Sequence, residues 1–314
     1  MKILFIDTVH PLLEISLRNA GHICVDASDS NREELMEQIP SYEGLVIRSR
    51  IRIDRSFLEN AIRLKFIARA GAGMENIDVE AANELGIICL NAPEGNRDAV
   101  GEQAIGMILS LFNNLNAADK QVREGLWQRE ANRGHELKDK VVGIIGFGNT
   151  GSAFAKKLQG FECEILAYDK YKSGFSNDFI TESDLQKIYD KADILSLHIP
   201  LTDETEFLVN ERFIRNFKKN IWIINTSRGK CLRIDELVYQ MKEGKVLGAC
   251  LDVLEYEDLS FEKFDIRHSN IQKLDTWNYL IQSDRVILSP HIAGWTFESH
   301  ERISAVLFEK ISKL

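Results

Sequence analysis

The chain has few cysteines and no pattern among them. Cys24, Cys89, Cys163, Cys231 and Cys250 are the only ones in 314 residues. They form an odd set without C-x-x-C spacing, and most sit in apolar, strand-like runs. Buried thiols of a reducing compartment are the reading, with no zinc signature and no metal expected. Long apolar runs are also missing. None reaches the ~20 residues that span a bilayer, and the start, Met1-Lys2-Ile3-Leu4-Phe5-Ile6-Asp7, is charged too soon for a secretory signal. A cytoplasmic protein with no membrane partner is expected. No Lys/Arg-rich run stands out and the net charge is −9, which argues against nucleic-acid binding by a basic face. An acidic chain that handles anionic ligands must concentrate its arginines in the site. Tandem repeats and low-complexity segments are absent as well.

What is present is an ordinary globular composition, 44% hydrophobic and 28% charged, with room for two domains. Short apolar runs alternate with amphipathic helical stretches from end to end, the pattern of α/β folds with parallel sheets. Ile3–Ile6, Ile23–Val25, Gly44–Ile47, Phe66–Ala68 and Gly86–Leu90 make a first series, with helices near Pro11–Ala20, Arg32–Ile39 and Asp54–Asn60. A long helical stretch follows from about Arg97 to Val122, with Ala104, Met107, Ile108, Leu111, Phe112 and Leu115 recurring on one wide apolar face. A second series holds Val141–Ile145, Ile165–Tyr168, Ile194–His198, Ile221–Asn225, Leu247–Leu251 and Val286–Ser289. Its helices include Glu182–Lys191, with Thr181 as the N-cap, and Asp235–Glu243; a last helix covers about Glu298–Lys313. We expect two domains: 1–95 plus 290–314, and an inserted 96–289. A cleft between them is where substrate should meet cofactor.

The inserted part carries G-x-G-x-x-G on Gly146, Gly148 and Gly151, with Asn149 and Thr150 inside the run. Gly146 lets the chain turn tightly, Gly148 lets backbone approach a pyrophosphate, and Gly151 lets helix pack close on strand. The helix start offers N–H groups and a positive dipole end to phosphates. A strand precedes the run, a helix follows it, and the next strand ends in Asp169. That aspartate is 23 residues after Gly146, near the ~20-residue spacing of an acid that holds a ribose 2′-OH. Asp169 also predicts NAD over NADP, because it repels a 2′-phosphate.

Three further side chains lie at strand ends of the second series. Arg228, in Asn225-Thr-Ser-Arg-Gly, follows Ile221–Asn225, where an arginine can grip a carboxylate with two parallel hydrogen bonds. Glu257 lies beyond Leu247–Leu251, and His291 follows Val286–Ser289. A histidine beside a carboxylate is a general acid–base pair in which the carboxylate fixes the tautomer and stabilises the imidazolium.

With these residues in view, the chain resembles the D-isomer-specific 2-hydroxyacid dehydrogenases, and within them the 3-phosphoglycerate dehydrogenase-like branch. The resemblance covers nearly the whole chain. It is carried by Ala-Arg-Ala-Gly-Ala-Gly-Met-Glu-Asn-Ile-Asp (68–78), Asn91-Ala-Pro-Glu-Gly-Asn96, Gly101-Glu102, Gly146–Gly151, His198-Ile-Pro-Leu-Thr202, Asn225-Thr-Ser-Arg-Gly229, Leu251-Asp-Val253 and Ser289-Pro-His291.

The resemblance implies two Rossmann-like domains with parallel sheets, an NAD-binding domain (96–289) inserted into a flavodoxin-like substrate domain, and a homodimer joined around the 97–122 helix. It implies roles too. Arg228 holds the substrate carboxylate and polarises the oxo group. His291 exchanges the proton with the C2 hydroxyl, and Glu257 orients His291. Asp252 meets the nicotinamide carboxamide. Thr226 and Ser227, Ile199 and Pro200 near the adenine, and Gly294 line the cofactor. Backbone amides of Gly71, Ala72 and Gly73 bind the substrate carboxylate. Arg48 matches the arginine that phosphoglycerate-type relatives use on their substrate.

Departures from the family pattern are visible. Asp258 stands where a proline usually follows the catalytic glutamate, which leaves Glu255 as a rival for Glu257. His291 comes 34 positions after Glu257, and the span includes an unusual charged and aromatic stretch around 260–277, expected to add a helix. The chain closes after one helix, so the regulatory domain of many phosphoglycerate dehydrogenases, with its feedback by serine, is not expected. The implied partner is a small anionic 2-hydroxy or 2-oxo acid. 3-Phosphoglycerate leads, with hydroxypyruvate or glyoxylate close behind and erythronate-4-phosphate third. An NAD(H)-sensing interaction protein of the corepressor type is the alternative of another class.

Overall fold

The computed structural model describes residues 1–257 and 274–314. The described chain forms two compact units, residues 1–97 with 295–314, and residues 98–257 with 274–294. The boundary falls inside the helix Pro93–Phe112.

The first unit is a five-stranded sheet of β1 (Lys2–Phe5), β2 (Ile23–Asp26), β3 (Gly44–Ile47), β4 (Phe66–Arg69) and β5 (Ile88–Leu90). All pairings are parallel and the order is β2-β1-β3-β4-β5, the flavodoxin-like doubly wound order. Successive side chains point to opposite faces, so each apolar run fills two cores. Ile3, Phe5, Val46, Phe66 and Ala68 pack with Leu13, Leu17, Ile303 and Leu307, so the helix Phe297–Ile311 covers this face. Leu4, Ile6, Leu45, Ile47 and Ile67 pack with Leu35, Phe57, Leu58, Ala81 and Ala82 on the other.

The second unit holds β6 (Val141–Ile145), β7 (Glu164–Tyr168), β8 (Ile180–Glu182), β9 (Ile194–Leu197), β10 (Ile221–Asn225), β11 (Val246–Leu251) and β12 (Val286–Leu288). All pairings are again parallel, in the order β12-β11-β10-β9-β6-β7-β8. The winding reverses at β6 and β9. Ligands of such sheets bind outside the carboxyl ends of the strands at that reversal. The two parallel sheets and the α/β class agree with the sequence reading.

Two expectations need correcting. The single helix from Arg97 to Val122 is two, Pro93–Phe112 and Leu115–Arg123, because Asn114 takes the left-handed conformation at φ = +50°, which asparagine tolerates better than most residues. The N–H of His135 caps the Phe112 carbonyl at 2.9 Å. Ala104, Met107, Ile108, Leu111 and Phe112 are buried, whereas Leu115 is exposed. Thr181 is not an N-cap: it lies in β8, and Asp184 caps the helix Leu185–Lys191 by accepting from the Lys187 N–H at 2.7 Å. The helix Val79–Glu84, capped by Asp78, was not foreseen. Most of the 260–277 stretch lies outside the described residues; from its described end the helix Asp275–Gln282 begins.

Candidate active site

Three neighbouring strands of the second unit deliver the three candidate catalytic side chains. Arg228 follows β10, Glu257 lies beyond β11, and His291 follows β12. The His291 Nδ1 is 2.7 Å from Glu257 Oε2. The second carboxylate oxygen, Oε1, accepts the N–H of Leu254 at 2.5 Å, so Glu257 is fixed on its own turn while it holds the ring. Glu255 faces elsewhere, toward the Ile234 N–H and the Tyr256 hydroxyl, and burial pushes its carboxyl up. Glu257, not Glu255, is therefore the carboxylate paired with His291.

His291 is a non-glycine residue at φ = +56°, a conformation that persists only where the surroundings impose it. Asp252 supplies much of that constraint. It is almost wholly buried. Its Oδ1 accepts from Ser289 Oγ (2.5 Å) and Ile292 N–H (2.9 Å), its Oδ2 from Ala293 N–H (2.8 Å), and its own carbonyl from the His291 N–H (2.8 Å). Charge-assisted bonds to a buried carboxylate are the strong kind.

Arg228 sits on a loop organised by Asn225, which is fully buried. The Asn225 Nδ2 donates to the Arg228 carbonyl at 3.0 Å, and its Oδ1 accepts from both N–H and Oγ of Ser227 at 3.1 and 2.8 Å. The Arg228 Nη1 donates to the Ser227 carbonyl at 2.7 Å. Gly229 is obligatory here, since a Cβ would stand 1.9 Å from the Leu254 carbonyl oxygen.

The glycine run opens the helix Asn149–Leu158 after β6. Gly146 has φ = +92°, and a Cβ on it would lie 2.4 Å from the His198 carbonyl oxygen; a Cβ on Gly151 would lie 2.0 Å from the Gly146 carbonyl oxygen. A Cβ on Gly148 meets nothing within 4 Å. Asn149 and Thr150 are half-buried, as is Ile199, while Pro200 is exposed. The Asp169 carboxylate accepts the N–H groups of Phe147 (2.8 Å), Tyr171 (2.9 Å) and Lys172 (3.0 Å).

In the first unit, Asp7 at the end of β1 gathers the backbone after β3. Its Oδ2 accepts the N–H groups of Arg48, Ser49 and Arg50 at 2.6, 3.0 and 3.3 Å. The Arg48 guanidinium lies 4.7 Å from the centre of the Trp295 ring. After β4, the carbonyls of Gly71 and Ala72 are taken by Ala92 N–H (2.8 Å) and Asn91 Nδ2 (2.6 Å).

Residues 105–293 match the family model described as D-isomer specific 2-hydroxyacid dehydrogenase, NAD binding domain. The chain belongs to that family. The enzyme is 36% identical to a hydroxypyruvate reductase of Thermotoga maritima, over 95% of this chain and 92% of the relative. It is 32% identical to a D-3-phosphoglycerate dehydrogenase of Archaeoglobus fulgidus, over 99% of this chain but 56% of that protein's length. Its structure is similar to a D-lactate dehydrogenase of Aquifex aeolicus complexed with NAD and lactic acid, with a TM-score of 0.82 and 26% identity over 99% of this chain and 94% of that one. It is an NAD-dependent oxidoreductase acting on CH–OH donors.

The dehydrogenase's own residues fit NAD. The two crowded glycines set the turn, the open side of Gly148 leaves backbone accessible, and the helix N-terminus follows. The Thr226 Oγ1 is buried without a hydrogen-bond partner among the described residues, on the loop that also carries Arg228. Sequence reasoning gave no role to Asn225, Ser289 or Asp7. Asn225 stood inside a quoted motif, and a polar residue closing an apolar strand was its available signal. Ser289 likewise stood inside a motif, Ser289-Pro-His291, at the end of an apolar strand, whereas Asp7 gathers backbone far away in the chain and left no signal.

Proposed function

We propose that this dehydrogenase oxidises D-3-phosphoglycerate at C2. The observation that carries the reaction class is the Glu257–His291 pair at 2.7 Å, with Arg228 following the neighbouring strand β10, all three side chains lying beyond adjacent strands. Arg228 pairs with the substrate carboxylate through its planar fork, and the amides of Ala72 and Gly73 assist it; the Gly71 N–H, expected to join them, is instead bonded to the Arg69 carbonyl at 2.8 Å. Glu257 holds Nδ1, so Nε2 is the ring atom that takes the hydroxyl proton in oxidation and returns it in reduction. The Glu257 charge stabilises the imidazolium formed. Asp252 keeps the His291 loop in place. When bound, NAD supplies the hydride chemistry. The phosphorylated substrate is supported by Arg48, whose backbone is anchored at the end of β3 while its side chain carries the extra positive charge.

Reduction of hydroxypyruvate is the second reading, favoured by the 36% identity to a hydroxypyruvate reductase. Turnover on a panel of phosphorylated and unphosphorylated 2-hydroxy and 2-oxo acids, glyoxylate and erythronate-4-phosphate included, tests both. Highest kcat/KM on 3-phosphoglycerate is expected. A preference for hydroxypyruvate overturns the phosphorylated reading, and NADH binding without turnover on any acid overturns the enzymatic one.

The working form is proposed to be a cytoplasmic homodimer. Leu115, Val122, Leu126 and Trp127 leave exposed apolar side chains along one short stretch of chain, which a second copy would cover. The five cysteines are free thiols, in keeping with a reducing compartment. No helix of the described residues is long and apolar enough to cross a membrane.

A further inference from the structure

The loop after β7 carries charges of both signs where the adenosine ribose is expected. An acid at the end of this strand meets the 2′-hydroxyl in dinucleotide folds, and Asp169 is fixed there by three backbone amides. Lys170 and Lys172 follow at once. A 2′-phosphate carries up to two negative charges and would draw both ammonium groups, so the loop by itself does not decide between NAD and NADP.

A residue from another strand changes the balance. Glu204 lies on the loop after β9, which flanks β6 on the side opposite to β7. Its Oε1 is 2.7 Å from the Lys170 Nζ, and its Oε2 accepts from the Tyr171 hydroxyl at 2.6 Å. Its own loop is braced: the Thr205 Oγ1 donates to the Pro200 carbonyl at 2.7 Å and accepts from the Thr202 N–H at 2.8 Å. Lys172 is drawn toward the Phe147 carbonyl, at 3.5 Å. The pairing holds the Lys170 ammonium above its usual range and the Glu204 carboxyl below its own.

We infer that Glu204 is a specificity-determining residue for the cofactor: by occupying Lys170 and adding a second carboxylate beside Asp169, it biases the enzyme against NADP. Each group is partly exposed, so solvent screening keeps the effect modest. With Glu204 in place the Asp169–Lys170–Glu204 set carries a net charge of −1. Without it the set is neutral and Lys170 is available to a 2′-phosphate.

The test is direct binding, independent of the substrate assignment. Dissociation constants of NADH and NADPH are measured by calorimetry for the wild type, Glu204→Gln, Lys170→Ala and the double variant. Glu204→Gln keeps a partner for Tyr171 and removes the charge. It should tighten NADPH by about fivefold and alter NADH by less than about twofold. Lys170→Ala alone takes the set to −2 and should weaken NADPH, whereas the double variant, back at −1, should lose most of the gain. An unchanged NADPH constant in Glu204→Gln overturns the inference. So do equal shifts for both cofactors, or a gain that survives removal of Lys170.

Discussion

Glu257 bridges His291 and its own backbone: Oε2 meets the His291 Nδ1 at 2.7 Å while Oε1 accepts the Leu254 N–H at 2.5 Å. The carboxylate is thus oriented before any substrate arrives, and the imidazole with it. His291→Ala should keep NADH binding but lose about 10²–10⁴-fold in kcat, the usual worth of general acid–base catalysis. Glu257→Gln keeps the shape and removes the charge, so a smaller loss of kcat is expected. Steady-state kinetics beside cofactor titration checks both, and near-normal kcat in folded His291→Ala would remove His291 from the mechanism.

Arg48 offers a test of substrate class. The Asp7 carboxylate holds the backbone of residues 48–50, so truncating the Arg48 side chain leaves that anchor intact. Losing one charge-assisted hydrogen bond costs about 1.5–3 kcal/mol, or roughly tenfold to a hundredfold in kcat/KM. Arg48→Ala should reduce kcat/KM for 3-phosphoglycerate by that factor and for glyoxylate far less. Equal losses on both would assign Arg48 to the shared carboxylate or to the fold.

His198 ties stability to pH. It is buried, and desolvation pushes its imidazole down to about 3, against ~6.5 in an unfolded chain. Below pH ~6.5 the unfolded chain takes up a proton that the folded one refuses, so stability falls as the pH falls from about 6.5 toward 3. The slope from this one group approaches about 1.4 kcal/mol per pH unit. Urea denaturation of the wild type and His198→Asn at pH 7 and pH 5 should show a smaller pH effect in the variant. The same pH effect in both would mean that His198 does not carry it.

Gly229 couples packing to catalysis. A Cβ there would stand 1.9 Å from the Leu254 carbonyl oxygen, and Leu254 is the residue whose N–H anchors Glu257. Gly229→Ala must push the 254–257 turn away. We expect a destabilisation of about 1–3 kcal/mol together with a fall in kcat larger than that in cofactor affinity. Thermal unfolding and kinetics of the same sample measure both effects, and a wild-type kcat would separate the turn from the chemistry.

The exposed Leu115, Val122, Leu126 and Trp127 predict self-association. Light scattering at micromolar concentration should give twice the 35.8 kDa chain mass, and Trp127→Glu should shift it toward the monomer. A monomeric wild type would leave this apolar surface without its proposed cover.

Much of the fold was legible because parallel strands are buried on both faces and so read as apolar runs. Gly44–Ile47, Val141–Ile145 and Ile221–Asn225 have the same limits in sequence and structure. The strand β8, Ile180–Glu182, has one buried residue of three, too little contrast for periodicity to register, and Thr181 was read as a cap instead. The apolar stripe toward Leu115 ran on without a break, but the helix did not. Its end depends on a left-handed Asn114 and on His135, whose N–H returns to the Phe112 carbonyl from 23 positions further along.

By itself the sequence determined the parallel α/β layers, the glycine turn with its aspartate, and the residue types at the strand ends, because each depends on burial or backbone freedom along a short stretch of chain. The tertiary structure alone decided the strand order, the choice of Glu257 over Glu255, the buried Asp252 beneath the His291 loop, and the Glu204–Lys170 pair. Glu255 and Glu257 are two positions apart and chemically alike. Only the placement of Leu254, Ile234 and His291 separates them, since a hydrogen bond depends on distances between atoms that chain order leaves open.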